Sequence, residues 1–113
     1  MNILYLDRSG TLLASESDAL DLVGDAYGMD ASVVVVPLAR LHPDFFDLST
    51  RIAGEFVQKL VNYRIRLVIE GDISLLTNTS ESLRAFVAES NRGPHIWFVP
   101  DRLSLQDRIA TIQ

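Results

Sequence analysis

A histidine and four aspartates stand where an open α/β sheet usually binds its ligands. His42, Asp44 and Asp47 follow the apolar run Ser32 to Leu38, Asp72 closes the run that starts at Ile65, and Asp101 comes just after His95 to Val99. Ligands of such sheets bind beyond the carboxyl ends of the strands. Converging loops would therefore gather an imidazole and several carboxylates in one crevice, a set able to bind a metal or move protons in a hydrolysis. The same residue types have simpler uses in these places. Asp44 and Asp47 suit turns and caps, Asp72 and Asp101 suit strand-end turns, and His42 before Pro43 suits a loop. No metal-ligand spacing is present, so the turn-and-cap account is preferred, and no metal or other cofactor is expected.

A second group lies just before the longest amphipathic stretch. Ser49 and Thr50 stand near a helix start, where a phosphate would meet unpaired amides and the positive end of the helix dipole. Capping by Ser49 or Asp47 is the simpler use. Phe45 and Phe46 precede them in a loop with few other core signals, so one ring can anchor the loop while the other meets a partner. Trp97, between Ile96 and Phe98, reads as a core or sheet-face residue. Lys59, Arg64 and Arg66 form the nearest approach to a basic patch, read as complementing a helix C-terminus and solvating a surface.

These residues need elements to position them. Ile3 to Leu6 and Thr11 to Ala14, joined through Arg8, Ser9 and Gly10, read as two short strands in a hairpin. A helix follows, capped by Ser15 or Ser17, with Asp18 in its first turn and Gly28 at its stop. Ser32 to Leu38 is apolar on both faces and reads as a central strand covered on each side, with Pro37 at its exit. A helix from near Asp47 or Ser49 then carries Ile52, Ala53, Phe56, Val57, Leu60 and Val61 on one face, with Glu55 and Lys59 paired on the other. Ile65 to Glu70 is the next strand, and Gly71-Asp72 ends it. Asn78 with Glu81 suggests a capping box for a third helix that stops near Gly93-Pro94. His95 to Val99 is the last strand, and Ser104 with Asp107 suggests the cap of a final helix holding Leu105, Ile109 and Ile112.

The order β-β-α-β-α-β-α-β-α implies an α/β fold with a mixed, mainly parallel sheet and flanking helices. At 113 residues and 48% hydrophobic the chain has material for one core, so residues 1–113 read as a single domain. Cysteine is absent, which removes disulfides, thiolate metal sites and a cysteine nucleophile. Ten basic against fifteen acidic residues disfavour phosphate-backbone contacts, so nucleic acid is not an expected partner. The start lacks a basic leader, and no apolar run is long enough for a bilayer. A cytoplasmic protein with no membrane partner is expected. No glycine-rich nucleotide loop follows any strand.

Several short motifs carry a resemblance. FFDL at Phe45 to Leu48, AGE at Ala53 to Glu55, QK at Gln58-Lys59, NYR at Asn62 to Arg64, GD at Gly71-Asp72 and ESNRG at Glu89 to Gly93 occur in order. With them the chain resembles a bacterial domain-of-unknown-function family, four-one-eight-zero, over nearly its whole length. The order of elements is also similar to the STAS domain, the sulphate-transporter and anti-sigma-factor-antagonist module. That second resemblance implies a small α/β regulator of partner proteins with a phosphorylatable serine at the start of the helix after the central strand. The comparable place here reads Asp47-Leu48-Ser49-Thr50, with Gly54 further on. The resulting expectation is a STAS-like, non-catalytic protein-binding or regulatory module, forming a homodimer or meeting a protein partner through Phe45, Phe46, Ser49 and Thr50. The rivals are a small hydrolase or metal-dependent enzyme using His42 and nearby carboxylates, and a small-ligand sensor with a pocket at the strand ends.

Overall fold

The computed structural model describes residues 2–112, without the side chain of Ile112. The part of the last-helix expectation that rests on Ile112 thus lies outside the described side chains. Four strands, β1 (Ile3–Tyr5), β2 (Val33–Pro37), β3 (Arg66–Glu70) and β4 (Ile96–Val99), form one sheet in the order β1-β2-β3-β4. Every pairing is parallel, and the register sets Val34 beside Leu67 and Val68 beside Trp97. Five helices accompany them: α1 (Glu16–Gly28), α2 (Ile52–Asn62), α3 (Ser74–Thr79), α4 (Glu81–Arg92) and α5 (Arg102–Ile112). The α/β class, with a parallel sheet flanked by helices, is the one the alternation of patterns implies.

Strand order and chain order coincide, and this determines the layers. Right-handed crossovers that always step in one direction put every connecting helix on the same side of the sheet. Val34, Val36, Leu67, Ile69, Ile96 and Phe98 accordingly join one large core with Leu22, Phe56 and Leu60. The alternate residues Val33, Val35, Val68, Trp97 and Val99 face the other side, which Leu105 of α5 covers. The strands are therefore apolar on both faces, with period-two alternation assigning each side chain to one core or the other.

Several local expectations change. The hairpin at the start does not form: β1 is followed by a loop, and Leu13 makes only an isolated parallel bridge with Leu41. The physical reason is Arg40, whose guanidinium donates to the carbonyls of Asp7 (2.9 Å), Ser9 (3.3 Å) and Thr11 (3.0 Å). The loop wraps this side chain so closely that a Cβ on Gly10 (φ +140°) would lie 2.8 Å from Arg40 Cζ. The sheet is therefore parallel throughout rather than mixed. The long helix begins at Ile52, not near Asp47 or Ser49, because Arg51 is left-handed (φ 63°) and separates it from two 3-10 turns at Pro43–Phe46 and Leu48–Thr50. The third helix is capped by Ser80, whose hydroxyl accepts the Leu83 N–H, and the short α3 occupies the place of Asn78. The last helix starts two residues earlier than Ser104, with the Asp101 carboxylate accepting the Ser104 N–H at 2.8 Å.

Other expectations stand. Ser15 and Asp18 form a reciprocal capping box at α1, satisfying amides that a helix start leaves open. Pro37 is the last residue of β2, where its missing N–H leaves the ladder intact. Trp97 is 4% exposed and lies in the smaller core. The solvent-face pair of α2 differs from the expected Glu55–Lys59: Lys59 Nζ lies 3.7 Å from Glu16 and so ties α2 to the start of α1.

Candidate functional site

The five strand-end residues divide into two places. Asp72 and Asp101 line an open cleft of about 440 Å³ at the carboxyl end of the sheet, together with Arg8, Pro37, Glu70 and Arg102. None of its lining residues comes from the His42 to Asp47 turn. Among the described residues no three His, Asp or Glu side chains lie close enough to hold a metal ion.

Within the cleft the carboxylates are engaged as caps. Asp72 accepts the Ser74 N–H at 2.9 Å at the start of α3, and Asp101 plays the same part at α5. Backbone hydrogen bonds at Ser74 and Ser104, followed by the hydroxyls of the same residues, hold both carboxyls below the usual aspartate range. They are charged acceptors, whereas a general acid needs a carboxyl held up near the working pH. Arg102 donates to both oxygens of Glu70, at 2.7 and 3.1 Å, and stacks 4.2 Å from the Tyr5 ring centroid. The hydrogen bond to Glu70 raises the Arg102 pKa. This planar, two-point pair clamps the end of β3 to the start of α5.

The His42 turn has its own geometry. His42 Nδ1 accepts the Asp44 N–H at 3.0 Å, and an Asp44 carboxylate oxygen lies 3.7 Å from the same nitrogen. With Nδ1 acting as an acceptor, the neutral ring carries its proton on Nε2. His42 therefore caps the 3-10 turn at Pro43–Phe46. Asp47 caps the next turn, accepting the Ser49 N–H at 3.1 Å and the Ser49 hydroxyl at 2.6 Å.

Thr50 is built more deeply into this segment than Ser49. Its hydroxyl lies 2.9 Å from the Asp44 carbonyl and 2.7 Å from that of Asp47, and it accepts the Ile52 N–H at 3.2 Å. Thr50 thereby caps the first turn of α2, while Ser49 stays exposed with one side-chain partner. Phe45 is 1% exposed and meets Phe46 and Phe56 edge-on at centroid distances of 5.3 and 5.7 Å. Phe45 is thus the core anchor of the loop, and Phe46, half-buried, packs against the same core.

Beside this turn runs a largely apolar groove of about 440 Å³ between α2 and α4, lined by Leu48, Arg51, Ala53, Gly54, Glu55 and Phe86. A Cβ placed on Gly54 would meet nothing within 4 Å. Sequence reasoning singled out the turn but not its groove, because Phe86 belongs to a helix thirty residues further along. It likewise missed Arg8, Glu70 and Arg102 at the cleft; the only hint was an acidic residue closing an otherwise apolar strand.

No curated protein and no solved structure matches the chain. One family model does, over residues 1–109, and the chain belongs to the family it describes, the domain of unknown function DUF4180.

Proposed function

We propose that this chain is a non-catalytic protein-binding or regulatory module of the cytoplasm. Its contact surface is the segment from Phe46 to Thr50 with the groove between α2 and α4. The observation that carries this reading is Gly54, a glycine inside an amphipathic helix, facing open space in an apolar groove. Glycine in a helix interior costs roughly 0.5–1 kcal/mol relative to alanine, and nothing within the fold requires it there. A partner backbone or side chain entering the groove would give it a use there.

Ser49 extends the reading to regulation. It is exposed, lies three residues before α2 and is separated from the helix only by Thr50 and Arg51. A phosphate on Ser49 would displace its bond to Asp47 and meet the Arg51 side chain and the positive end of the α2 dipole. Thr50, whose hydroxyl holds the turn, is the poorer phosphosite. The hydrolase reading has less support, since His42 and the cleft carboxylates are apart and all serve as caps. Among the described residues no helix is long and apolar enough to cross a membrane.

The test is a matched pair of affinity baits, wild type and Gly54→Arg, in host extract, with sedimentation of each alone. A protein retained by wild type and lost by the variant, or a wild-type dimer that Gly54→Arg splits, supports the surface. A monomer in both cases with identical retained proteins sinks it.

A further inference from the structure

The amino end of the sheet carries another cleft, of about 310 Å³, which shares no lining residue with the groove between α2 and α4. Val61, Ile65 and Pro94 supply apolar wall, and Arg64, Arg66 and His95 line the same space. None of its lining residues is acidic, in a chain where fifteen acidic residues outnumber ten basic ones. Among the described residues neither Arg64 nor Arg66 has a carboxylate partner; the lysine and arginine ion pairs are those of Lys59 and Arg102.

We infer that this cleft binds a phosphate monoester, its dianionic head held by Arg64 and Arg66 and its apolar body resting on Val61, Ile65 and Pro94. Arg64 is the first reason. It follows the C-cap Tyr63 in a left-handed conformation (φ 61°), a position that usually falls to glycine or asparagine. Complementing the helix dipole does not account for an arginine here, because Lys59 already stands in the last turn of α2. The cleft gives this side chain a use.

Arg66 is the second reason, because it is held in place. Its Nε donates to the Pro94 carbonyl at 2.7 Å, and its Cζ lies 4.2 Å from the Trp97 ring centroid. Trp97 Nε1 in turn donates to the Gly93 carbonyl at 2.9 Å, fixing the loop that forms one wall. The terminal nitrogens of Arg66 remain without a protein acceptor among the described residues. Arg108 crowds the same ring at 4.0 Å, and burial, followed by repulsion from Arg66, lowers its pKa. Cations gathered without a counter-charge are relieved by a bound anion, and guanidinium forks match phosphate oxygens at two points. Two such forks call for a doubly charged head, and the volume suits a small ester at the lower end of ligand pockets.

The experiment titrates the full chain with phenyl phosphate, inorganic phosphate and benzoate, reading heats of binding and backbone amide shifts. Phenyl phosphate is expected to saturate, to bind at least tenfold more tightly than the other two, and to shift amides of residues 64–66 and 95. Arg64→Gly suits the left-handed backbone and so keeps the fold, and it is expected to weaken phenyl phosphate at least tenfold. Absence of saturation, equal binding by Arg64→Gly, or benzoate or inorganic phosphate binding as tightly as the ester would each overturn the inference.

Discussion

Replacing Gly71 with alanine tests how the carboxyl end of the sheet is built. Gly71 follows β3 with φ +154°, and a Cβ there would lie 2.6 Å from the Leu38 Cβ and 3.3 Å from its Cδ2. Two costs combine. Holding an L-residue in this glycine region is worth about 1–3 kcal/mol, and forcing a methyl into occupied space adds about 1–3 kcal/mol. The middle of both ranges gives about 4 kcal/mol, a large share of the roughly 5–15 kcal/mol that a domain of this size possesses. Backbone relaxation is restricted, because the Gly71 N–H donates to the Val99 carbonyl at 2.9 Å and joins β3 to β4. The assay is urea unfolding followed by the fluorescence of Trp97, the one tryptophan, which is 4% exposed. With a slope of about 1.5 kcal/mol per molar urea, the midpoint falls by about 2.7 M. Leu38→Gly removes the opposing Cβ, so Gly71→Ala in that background should cost about 1–2 kcal/mol less, as a double-mutant cycle reports. A loss below about 1 kcal/mol for the single variant, or no coupling to position 38, refutes the steric reasoning.

Three further outcomes are expected. Arg40→Met removes the hydrogen bonds that gather the Asp7 to Thr11 loop; it should cost about 2 kcal/mol and speed amide hydrogen exchange at Leu13 and His42. Asp18 has its pKa lowered, chiefly by the backbone N–H groups of Ala14 and Ser15. A carboxylate more acidic when folded adds stability above its unfolded pKa of about 4, and that stability fades as pH falls through the lower folded value. Asp18→Asn should therefore flatten the acid limb of a stability–pH profile, and an unchanged limb would discount the capping box. Gly54→Ala should raise the melting temperature, corresponding to about 0.5–1 kcal/mol, since its new methyl group meets no neighbour; a lower melting temperature would mean that Gly54 serves the fold itself.

Much of the scaffold was written in local pattern. Three β-branched or apolar runs, Ser32 to Leu38, Ile65 to Glu70 and His95 to Val99, announced the strands, and helical periodicity announced α1, α2 and α4. Pro37 at a strand exit and Ser15 with Asp18 at a helix start were legible because each acts on backbone within a few residues of itself. Where neighbouring cap signals competed, the pattern did not choose between them: Ser80 rather than Asn78 caps α4, and Asp101 rather than Ser104 starts α5. The hairpin failed through a distant contact, since the side chain that shapes residues 7–11 is Arg40, far along the chain.

The division of the candidate sites is also tertiary. His42, Asp44 and Asp47 and the pair Asp72 and Asp101 share residue types and strand-end positions, yet only the second pair reaches the cleft. Whether loops at the same end of a sheet converge depends on the paths they take, and two 3-10 turns held by Phe45 and Thr50 direct the first group along α2 instead. Conversely, Arg64, Arg66 and His95 meet because parallel pairing sets β3 beside β4. The sequence by itself determined the four strands of the sheet and the helices α1, α2 and α4, through periodicity and caps that act over a few residues. Which functional groups share a space was decided by strand register and crossover direction, which join residues about thirty positions apart.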